Sequence, residues 1–410
     1  MIYRITPPEK LNTAIQLPAS KSISNRALIL HALSGGHIIP TNLSDCDDTL
    51  VTIRALEGSN EIIDIMAAGT AMRFLTAYLS VTPGTRVITG TARMKQRPIR
   101  ILVDALRSLG AQIDYIGEEG YPPLRISGSK LQESRVIISG SVSSQYISAL
   151  LMIGAVLPEG LTLCLTGDIV SRPYIRLTLQ LMREYGAKAD WEDGHTIRVE
   201  PGGYQDVPFM VESDWSAASY WYEMLALKGA GEIVLPGLFA QSYQGDSRGA
   251  ELFAQLGVHT SFASDGVHLT CRRTAVERLE ADLVEIPDLA QTFVVTCCLM
   301  GIPFQFTGLQ SLRIKETDRL SALVCELRKL GYVLQTAQDS ILSWDGERCE
   351  AEPCPVIATY EDHRMAMAFA PVCIVNHEIR IAHPAVVSKS YPRYWDDLRQ
   401  AGFSVCESDS

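Results

Sequence analysis

One supersecondary pattern recurs along the 410-residue chain and constrains the possible folds more than any other feature. In each copy an amphipathic helix ends at a glycine, and a short strand, a turn and usually a second strand follow. Glycine is expected just after a helix end because it adopts a positive φ at little cost. The four clear copies end at Gly110, Gly186, Gly257 and Gly331, and two fainter copies end at Gly58 and Gly402.

The spacing of these six glycines is nearly even, at 52, 76, 71, 74 and 71 residues along the chain. Chance similarity between helix ends does not easily produce such regularity. A period of this size indicates stacked α/β supersecondary units, six in number with the first one shortened. We therefore predict an α/β fold with three units in each of two lobes, and the turn-rich stretch 201–208 as a boundary between the lobes.

Composition favours a globular enzyme that acts on small molecules. Hydrophobic residues make up 47% of the chain and charged residues 20%, which is ordinary for a soluble protein of two or three domains. The net charge is −11 and no basic stripe is present, so nucleic-acid binding is not expected. The sequence offers no apolar run of the roughly 20 residues that a membrane span needs, and its N-terminus lacks the apolar core of a signal peptide.

Cysteine and histidine positions argue against disulfides and metal sites. The ten cysteines are scattered without a Cys-x-x-Cys motif, which is typical of reduced thiols in a cytoplasmic protein. No cluster of His, Asp or Glu has the spacing of metal ligands. We therefore expect no metal and a cytoplasmic location.

The stretch 17–26 is the densest candidate for ligand binding. It brings Lys21 and Arg26 together with the hydroxyls of Ser20, Ser22 and Ser24, just before an apolar helical run. The N–H groups at a helix start already favour an anion, and nearby cations and hydroxyls strengthen that preference. Because the chain as a whole is acidic, this local cluster indicates a small anionic ligand.

Further polar segments interrupt the amphipathic pattern. Singly, most are explained by helix capping or by surface ion pairs, and capping is the structural expectation for Asp288. In the densest segment we expect a helix with Lys315 and Arg319 on one face at i, i+4. Cations spread over both lobes would be explained if together they bind a ligand with more than one anionic group. The segments are 68–73, 93–98, 141–145, 171–174, 286–288, 313–319, 362–364 and 388–390.

Six motifs occur in an order that carries a family resemblance. They are Pro-Ala-Ser-Lys-Ser-Ile-Ser-Asn-Arg (18–26), Ala-Gly-Thr-Ala-Met-Arg (68–73), Arg-Met-Lys-Gln-Arg-Pro (93–98), Ser-Val-Ser-Ser-Gln (141–145), Lys-Glu-Thr-Asp-Arg (315–319) and Asp-His-Arg-Met-Ala-Met (362–367). Together they resemble the 3-phosphoshikimate 1-carboxyvinyltransferases, or 5-enolpyruvylshikimate-3-phosphate (EPSP) synthases, within the enolpyruvyl transferases. The resemblance spans nearly the whole chain.

The resemblance implies a fold that agrees with the repeat. That fold is a two-lobed inside-out α/β barrel in which each lobe contains three βαβαββ units. It implies that residues 21–211 form the N-terminal lobe, and that residues 1–20 and 212–410 form the C-terminal lobe. The active site of the family lies in the cleft between the lobes, and closure of the lobes would exclude water.

The resemblance also implies a reaction in the shikimate pathway to aromatic amino acids. The enolpyruvyl group of phosphoenolpyruvate passes to the 5-hydroxyl of shikimate 3-phosphate by addition and elimination, and phosphate is released. The two anionic small molecules are the expected partners of a monomer that binds neither nucleic acid nor membrane, and no cofactor is required. Such chemistry needs a base at the hydroxyl and an acid at the methylene carbon.

Site residues carried over by motif fall into three groups. The catalytic residues would be Asp288 as base, Glu316 as acid, and Lys21 beside the departing phosphate. Shikimate 3-phosphate would meet Lys21, Ser22, Arg26, Ser143, Ser144, Gln145, Ser171, Tyr174, Asp288 and Lys315. Phosphoenolpyruvate would meet Lys21, Gly69, Arg93, Gln145, Arg319, Arg364 and Lys389.

The chain departs from the family pattern at three places. Ala67 stands where the family usually has Asn, and Ser311-Leu312 replaces the usual Asn-Trp. A hairpin-sized segment is missing between Asp48 and Gly69. Two alternatives stay open: an enolpyruvyl transferase acting on UDP-N-acetylglucosamine, which commonly has a cysteine acid where this chain has 93–98, and a binding paralogue that has lost turnover.

Overall fold

Residues 1–58, 60–170, 172–272 and 276–408 are described by the computed structural model. Contacts within the chain divide it into two compact units. Unit 1 contains residues 1–18 and 212–410, and unit 2 contains residues 19–211. The described part of the chain contains no helix that is both long enough and apolar enough to cross a membrane.

The elements of unit 2 follow one another without interruption. They are α1 (Lys21–Ser34), α2 (Asp47–Glu57), β3 (Ile62–Asp64), α3 (Gly69–Val81), β4 (Gly84–Thr89), α4 (Arg100–Ser108), β5 (Gln112–Tyr115), β6 (Leu124–Gly128), β7 (Arg135–Ser139), α5 (Ser144–Gly154), β8 (Leu161–Thr166), α6 (Arg172–Glu184), β9 (Ala189–Trp191) and β10 (Thr196–Val199). A short 3-10 helix covers Met94–Gln96.

Unit 1 combines two N-terminal strands with the C-terminal half of the chain. Its elements are β1 (Ile2–Thr6), β2 (Asn12–Ala14), α7 (Trp215–Lys228), β11 (Glu232–Leu235), α8 (Gly249–Gln255), β12 (Val258–Ala263), β13 (Gly266–Cys271), β14 (Leu279–Asp282), α9 (Ala290–Met300), β15 (Phe304–Thr307), α10 (Arg319–Lys329), β16 (Gln335–Ala337), β17 (Ile341–Trp344), β18 (Val356–Ile357), α11 (His363–Phe369), α12 (Cys373–Asn376), β19 (Ile379–Ala382), α13 (Tyr394–Gln400) and β20 (Ser404–Ser408). Its 3-10 helices are Gly245–Arg248, Pro287–Leu289, Gln310–Ile314, Ala370–Val372 and Pro384–Lys389.

Strands of the described residues form five four-stranded sheets with one shared topology. In each sheet the first two strands of a unit are parallel, and the last two form an antiparallel hairpin whose final strand pairs with the second strand, as in β3-β4-β6-β5. In the last sheet, β1 takes the position of the final strand, between β19 and β20. The α/β class and the repeated βαβαββ unit predicted from the sequence are confirmed.

The first repeat is shorter than the other five, each of which contains a four-stranded sheet. Between residues 21 and 61 the described residues form α1, α2 and a parallel bridge between Thr41 and Met210. The helices of this repeat are therefore retained, while the sheet that accompanies the helices elsewhere is reduced to that bridge. This agrees with the hairpin-sized gap noted in the sequence.

Five of the six repeat glycines adopt the backbone conformation that the pattern predicts. Gly110, Gly186, Gly257, Gly331 and Gly402 have φ between 82° and 101°. Gly58 differs, because its φ is −84° and the chain leaves α2 in an extended conformation. The other five glycines reverse the chain into a strand of the unit's own hairpin, whereas the chain after α2 continues into the next repeat, so a left-handed residue is not required there.

Burial distinguishes the two helices of each repeat. The first helix is buried on almost every side, as in α9, where residues 290–299 are all buried. The second helix is buried on one face, as in α4, where Leu102, Val103, Ala105 and Leu106 face the interior. The N-terminal ends of the buried helices are therefore held rigidly by the core, which matters for the side chains at these ends.

Glu223 is an exception in the core of unit 1. It lies on α7 and is fully buried, and neither of its carboxyl oxygens has a hydrogen-bond partner among the described residues. Burial raises the pKa of Glu223 well above its ordinary value and so favours the protonated carboxyl group in the folded protein. In the unfolded chain the same group ionises above its usual pKa, and this difference makes folding less favourable as pH rises.

We predict that Glu223→Met stabilises the protein, because it replaces a buried polar side chain with an apolar one of similar size. At pH 8 the free energy of unfolding should rise by about 1–3 kcal/mol, and the gain should shrink as pH falls towards 4.5. Urea denaturation across this pH range measures the effect, with Glu251→Gln on the exposed face of α8 as control. A gain that is independent of pH would contradict the raised pKa of Glu223.

Candidate functional site

A buried guanidinium organises the polar side chains of unit 1. Arg319 is the first residue of α10, and its side chain is only 2% exposed. Its Nε donates to Asp362 Oδ2 at 2.7 Å, its Nη1 to Asp288 Oδ1 at 3.1 Å, and its Nη2 to Glu316 Oε2 at 3.1 Å. Burial by itself would lower the pKa of Arg319, but the negative charges of Asp362, Glu316 and Asp288 raise it above its ordinary value.

Asp288 is held by two further cations. Arg364 Nη2 donates to Asp288 Oδ2 at 2.8 Å, and Lys315 Nζ lies 3.5 Å from Asp288 Oδ1. We call Asp288, Lys315, Glu316, Arg319, Asp362 and Arg364 the Arg319 cluster. The structure therefore brings together five residues that the sequence motifs predicted for the site, with Asp362 as the fully buried partner of Arg319.

Two structural expectations from the sequence are wrong at this cluster. Lys315 and Glu316 do not lie in a helix with Arg319, because the 3-10 helix ends at Ile314 and α10 begins at Arg319 with Asp318 as its N-cap. Asp288 does not cap α9 either, since it lies in a 3-10 turn and its carboxylate accepts hydrogen bonds from Arg319 and Arg364 instead. At Asp288 tertiary charge pairing replaced local capping, whereas α10 keeps a local cap at Asp318.

Helix ends explain how these side chains are positioned. Asp362 is the N-cap of α11 and accepts a hydrogen bond from Arg364 N at 2.9 Å, so one carboxylate starts the helix and also binds Arg319. Asp288 comes two residues before α9. The first turn of α7 contributes Ser216, whose Oγ lies 3.5 Å from Arg364 Nη2. The N-terminal ends of all three buried first helices of unit 1 therefore meet at the cluster, and such ends favour anions.

Asp246 is a further acid at this place that the sequence motifs did not indicate. It is buried in the 3-10 helix that precedes α8, and its carboxylate accepts a hydrogen bond from Ser216 Oγ. Burial and the negative charge of Asp288 raise the pKa of Asp246 to about 7. A Gly-Asp pair in a loop is too common for sequence alone to identify it, because its proximity to Asp288 depends on folding.

Lys389 lies in the last 3-10 helix of unit 1 and has its own backbone contact. Its Nζ donates to the carbonyl oxygen of Glu361 at 2.8 Å. Because Glu361 immediately precedes Asp362, this lysine is held next to the Arg319 cluster. The described residues include no group of three or more His, Cys, Asp or Glu side chains arranged to hold a metal ion.

Predicted site residues of unit 2 lie at the starts of helices. Lys21 and Ser22 begin α1, Gly69 begins α3, Ser143 caps α5 while Ser144 begins it, and Tyr174 lies in the first turn of α6. The starts of α5 and α3 are linked directly, since Gln145 Nε2 donates to Thr70 Oγ1 at 3.2 Å. Arg93 is exposed and precedes the 3-10 helix at 94–96. Ser171 lies outside the described residues.

Arg26 has a structural role within unit 2. Its guanidinium donates to Thr178 Oγ1, Ser148 Oγ and the carbonyl oxygen of Ser22, and lies 5.2 Å from the ring centroid of Phe74. Burial lowers the pKa of Arg26 to about 10. These contacts tie α1 to α5 and α6, so Arg26 fixes the relative positions of the helix starts.

Gly69 lies where a cation approaches the backbone closely. A Cβ atom at this position would lie 2.7 Å from Arg97 Nη1, which is closer than real contacts allow. The guanidinium of Arg97 therefore packs directly on the backbone at the start of α3. The motif 93–98 thus contributes a positive charge at Gly69 through Arg97, which the sequence motifs did not single out.

We predict that Arg319→Met destabilises unit 1 strongly, because it leaves the buried Asp362 without its main cation. The free energy of unfolding should fall by about 3–5 kcal/mol in urea denaturation. Arg278→Met is the matched control, since Arg278 pairs with the exposed Glu280 and Asp345 and should cost less than about 1 kcal/mol. Adding Asp362→Asn to Arg319→Met should recover part of the lost stability. Equal losses in Arg319→Met and Arg278→Met would contradict the assigned role of Arg319.

Comparisons with known proteins indicate one family along nearly the whole chain. The family described as EPSP synthase (3-phosphoshikimate 1-carboxyvinyltransferase) matches residues 5–60 and 52–398. A 3-phosphoshikimate 1-carboxyvinyltransferase of Bacteroides fragilis is 65% identical over 405 residues, which cover 99% of each chain. One from Aliivibrio fischeri is 36% identical over 424 aligned positions, covering 97% of this chain and 98% of the relative.

A solved structure shows the same fold. The EPSP synthase from Acinetobacter baumannii superimposes with a TM-score of 0.77 at 22% identity, covering 99% of this chain and all of that one. This likeness supports the architecture described above, while the identity to the sequence relatives supports the family. The chain therefore belongs to the EPSP synthase family of 3-phosphoshikimate 1-carboxyvinyltransferases, which are transferases.

Proposed function

We propose that this chain transfers the enolpyruvyl group of phosphoenolpyruvate to the 5-hydroxyl of shikimate 3-phosphate, giving EPSP and phosphate. The observation that carries the proposal is the Arg319 cluster, in which two guanidiniums and a lysine pair with three carboxylates at the motifs of this family. Both substrates are anions, so they need fixed cations. The reaction needs a base and an acid, and Asp288 and Glu316 are available for these roles.

Asp288 would act as the base that removes the proton of the 5-hydroxyl. The cationic groups of Lys315, Arg319 and Arg364 lie next to its carboxylate and offset its negative charge. When phosphoenolpyruvate binds to the two guanidiniums, its negative charge would offset part of theirs. Asp288 would then become a stronger base when both substrates are present, because fewer net positive charges would stabilise its anion.

Glu316 would deliver a proton to the methylene carbon of phosphoenolpyruvate. Its carboxylate accepts a hydrogen bond from Arg319 Nη2, so it lies beside a guanidinium proposed to bind the same substrate. The anionic substrate would favour the protonated form of Glu316, since like charges raise the pKa of a carboxyl group. Removal of a proton in the elimination step would reverse these two roles.

The residues predicted in unit 2 would bind the same pair of substrates. Lys21 at the start of α1 would assist the departing phosphate, and Gln145, Ser143 and Ser144 at the start of α5 would hold shikimate 3-phosphate. Their positions support this role because N–H groups at a helix start bind phosphate well. Gly69, Arg93, Arg364 and Lys389 would complete the contacts to phosphoenolpyruvate.

We further propose that the two compact units correspond to the lobes 21–211 and 1–20 with 212–410, and that the protein acts as a cytoplasmic monomer. All ten cysteines are free thiols, which suits a reducing compartment. Sedimentation of the purified chain would test the monomer.

Measurement of phosphate release tests the proposed function. We expect the purified chain to release phosphate when both shikimate 3-phosphate and phosphoenolpyruvate are present, and neither substrate alone should suffice. Release that requires UDP-N-acetylglucosamine instead would assign the chain to the other enolpyruvyl transferases. Binding of both substrates without release would identify a paralogue that has lost turnover.

We predict that Glu316→Gln keeps both substrate affinities within a few-fold and lowers kcat by about 10²- to 10⁴-fold, because the amide cannot donate the proton. Calorimetric titration and the phosphate assay measure the two effects separately. Glu251→Gln on α8 is the matched control and should keep the full kcat. Wild-type turnover in Glu316→Gln would remove Glu316 from the mechanism.

A further inference from the structure

A strained turn lies immediately before Asp362. Tyr360 and Glu361 have φ of 54° and 56°, in the left-handed region that side chains other than glycine rarely adopt. Asp362 N donates to the carbonyl oxygen of Thr359 at 2.8 Å, which closes a four-residue turn. Two positive φ values in the centre of such a turn are typical of type I′, which favours Asn-Gly rather than Tyr-Glu.

The local sequence therefore does not account for this turn, and tertiary contacts must hold it. Tyr360 Oη donates to Glu326 Oε1 at 2.6 Å. The Glu326 side chain is fully buried on α10, and its other carboxyl oxygen accepts from Lys329 Nζ at 2.7 Å and from Ala358 N at 3.0 Å. The turn is thus anchored, through Tyr360 and through the preceding Ala358, to the helix that begins with Arg319.

The same turn controls three groups of the proposed site. The carbonyl oxygen of Glu361 accepts the hydrogen bond from Lys389 Nζ. Asp362, the last residue of the turn, binds Arg319 Nε and caps the helix that carries Arg364. A change in the turn would therefore move a lysine and two arginines that are proposed to bind phosphoenolpyruvate.

We propose that Tyr360 is a positioning residue for phosphoenolpyruvate, acting through its hydrogen bond to Glu326. The bond holds residues 359–362 in the left-handed turn, so that the Glu361 carbonyl and the Asp362 carboxylate orient Lys389, Arg319 and Arg364. Tyr360 itself needs no contact with substrate. This inference rests on the proposed function for its kinetic consequence, while its structural consequence can be measured without substrate.

The kinetic test removes only the hydroxyl group. Tyr360→Phe should raise KM for phosphoenolpyruvate about 5- to 10-fold and leave KM for shikimate 3-phosphate within twofold. Glu326 keeps its bonds to Lys329 and Ala358 in this variant, so the protein should fold. Tyr222→Phe is the matched control, because it also removes a tyrosine hydroxyl bond in unit 1, to Thr260 at 2.9 Å, and should leave both KM values unchanged.

A second substitution distinguishes positioning from other roles of the hydroxyl. Glycine accepts positive φ readily, so adding Glu361→Gly to Tyr360→Phe should bring KM for phosphoenolpyruvate back to within about twofold of the wild type. The main-chain carbonyl that binds Lys389 is retained in that variant. An unchanged KM in Tyr360→Phe, or a raised KM that the glycine does not restore, would overturn the inference.

Amide hydrogen exchange of residues 359–364 tests the turn in the free protein. Exchange should be faster in Tyr360→Phe than in the wild type and slower again in the double variant, while Tyr222→Phe should match the wild type. Equal exchange in all four proteins would overturn the inference even if the wild type showed no turnover. Absence of phosphate release by the wild type would instead contradict the proposed function.

Discussion

The buried charge of Arg319 is the constraint on which the rest of the candidate site depends. A guanidinium that is almost fully removed from water must be paired, and it is paired with Asp362, Asp288 and Glu316 from three separate segments. Asp288 in turn holds Arg364 and Lys315. One desolvated cation therefore fixes the ends of α9, α10 and α11 against one another, and the proposed acid and base are held by the same contacts.

A topology repeated within the chain and a strained turn come together at this cluster. Each repeat places the N-terminal end of a buried helix at a comparable position, which gathers helix ends that favour anions. The turn at 359–362 departs from what its own residues prefer, and it is held by Glu326 from the helix that carries Arg319. Strain of this kind persists only where the surroundings determine the conformation, and it is found beside binding sites.

Chain segments that are polar in sequence serve different purposes once folded. Arg26 and Lys21 are five residues apart in one motif, yet Arg26 is buried and ties three helices together, while Lys21 lies at a helix start that is proposed to bind phosphate. Motif 93–98 supplies Arg97 to the backbone at Gly69. One motif therefore contains both a buried cation that joins helices and a cation at a helix start that is proposed to bind a ligand.

The sequence by itself determined the repeated α/β unit, the number of repeats and the family, because glycine at helix ends, hydrophobic period and motif order are local properties. The sequence motifs also singled out Asp288, Glu316, Arg319 and Arg364 as candidate site residues, and the fold brings these four together in the Arg319 cluster. Only the tertiary structure decided that Glu316 and Lys315 lie outside a helix, that Asp246 joins Asp288, and that Tyr360 and Glu361 adopt a left-handed turn. These outcomes depend on pairing between charges and on packing between residues far apart in the chain, and such contacts override local propensity.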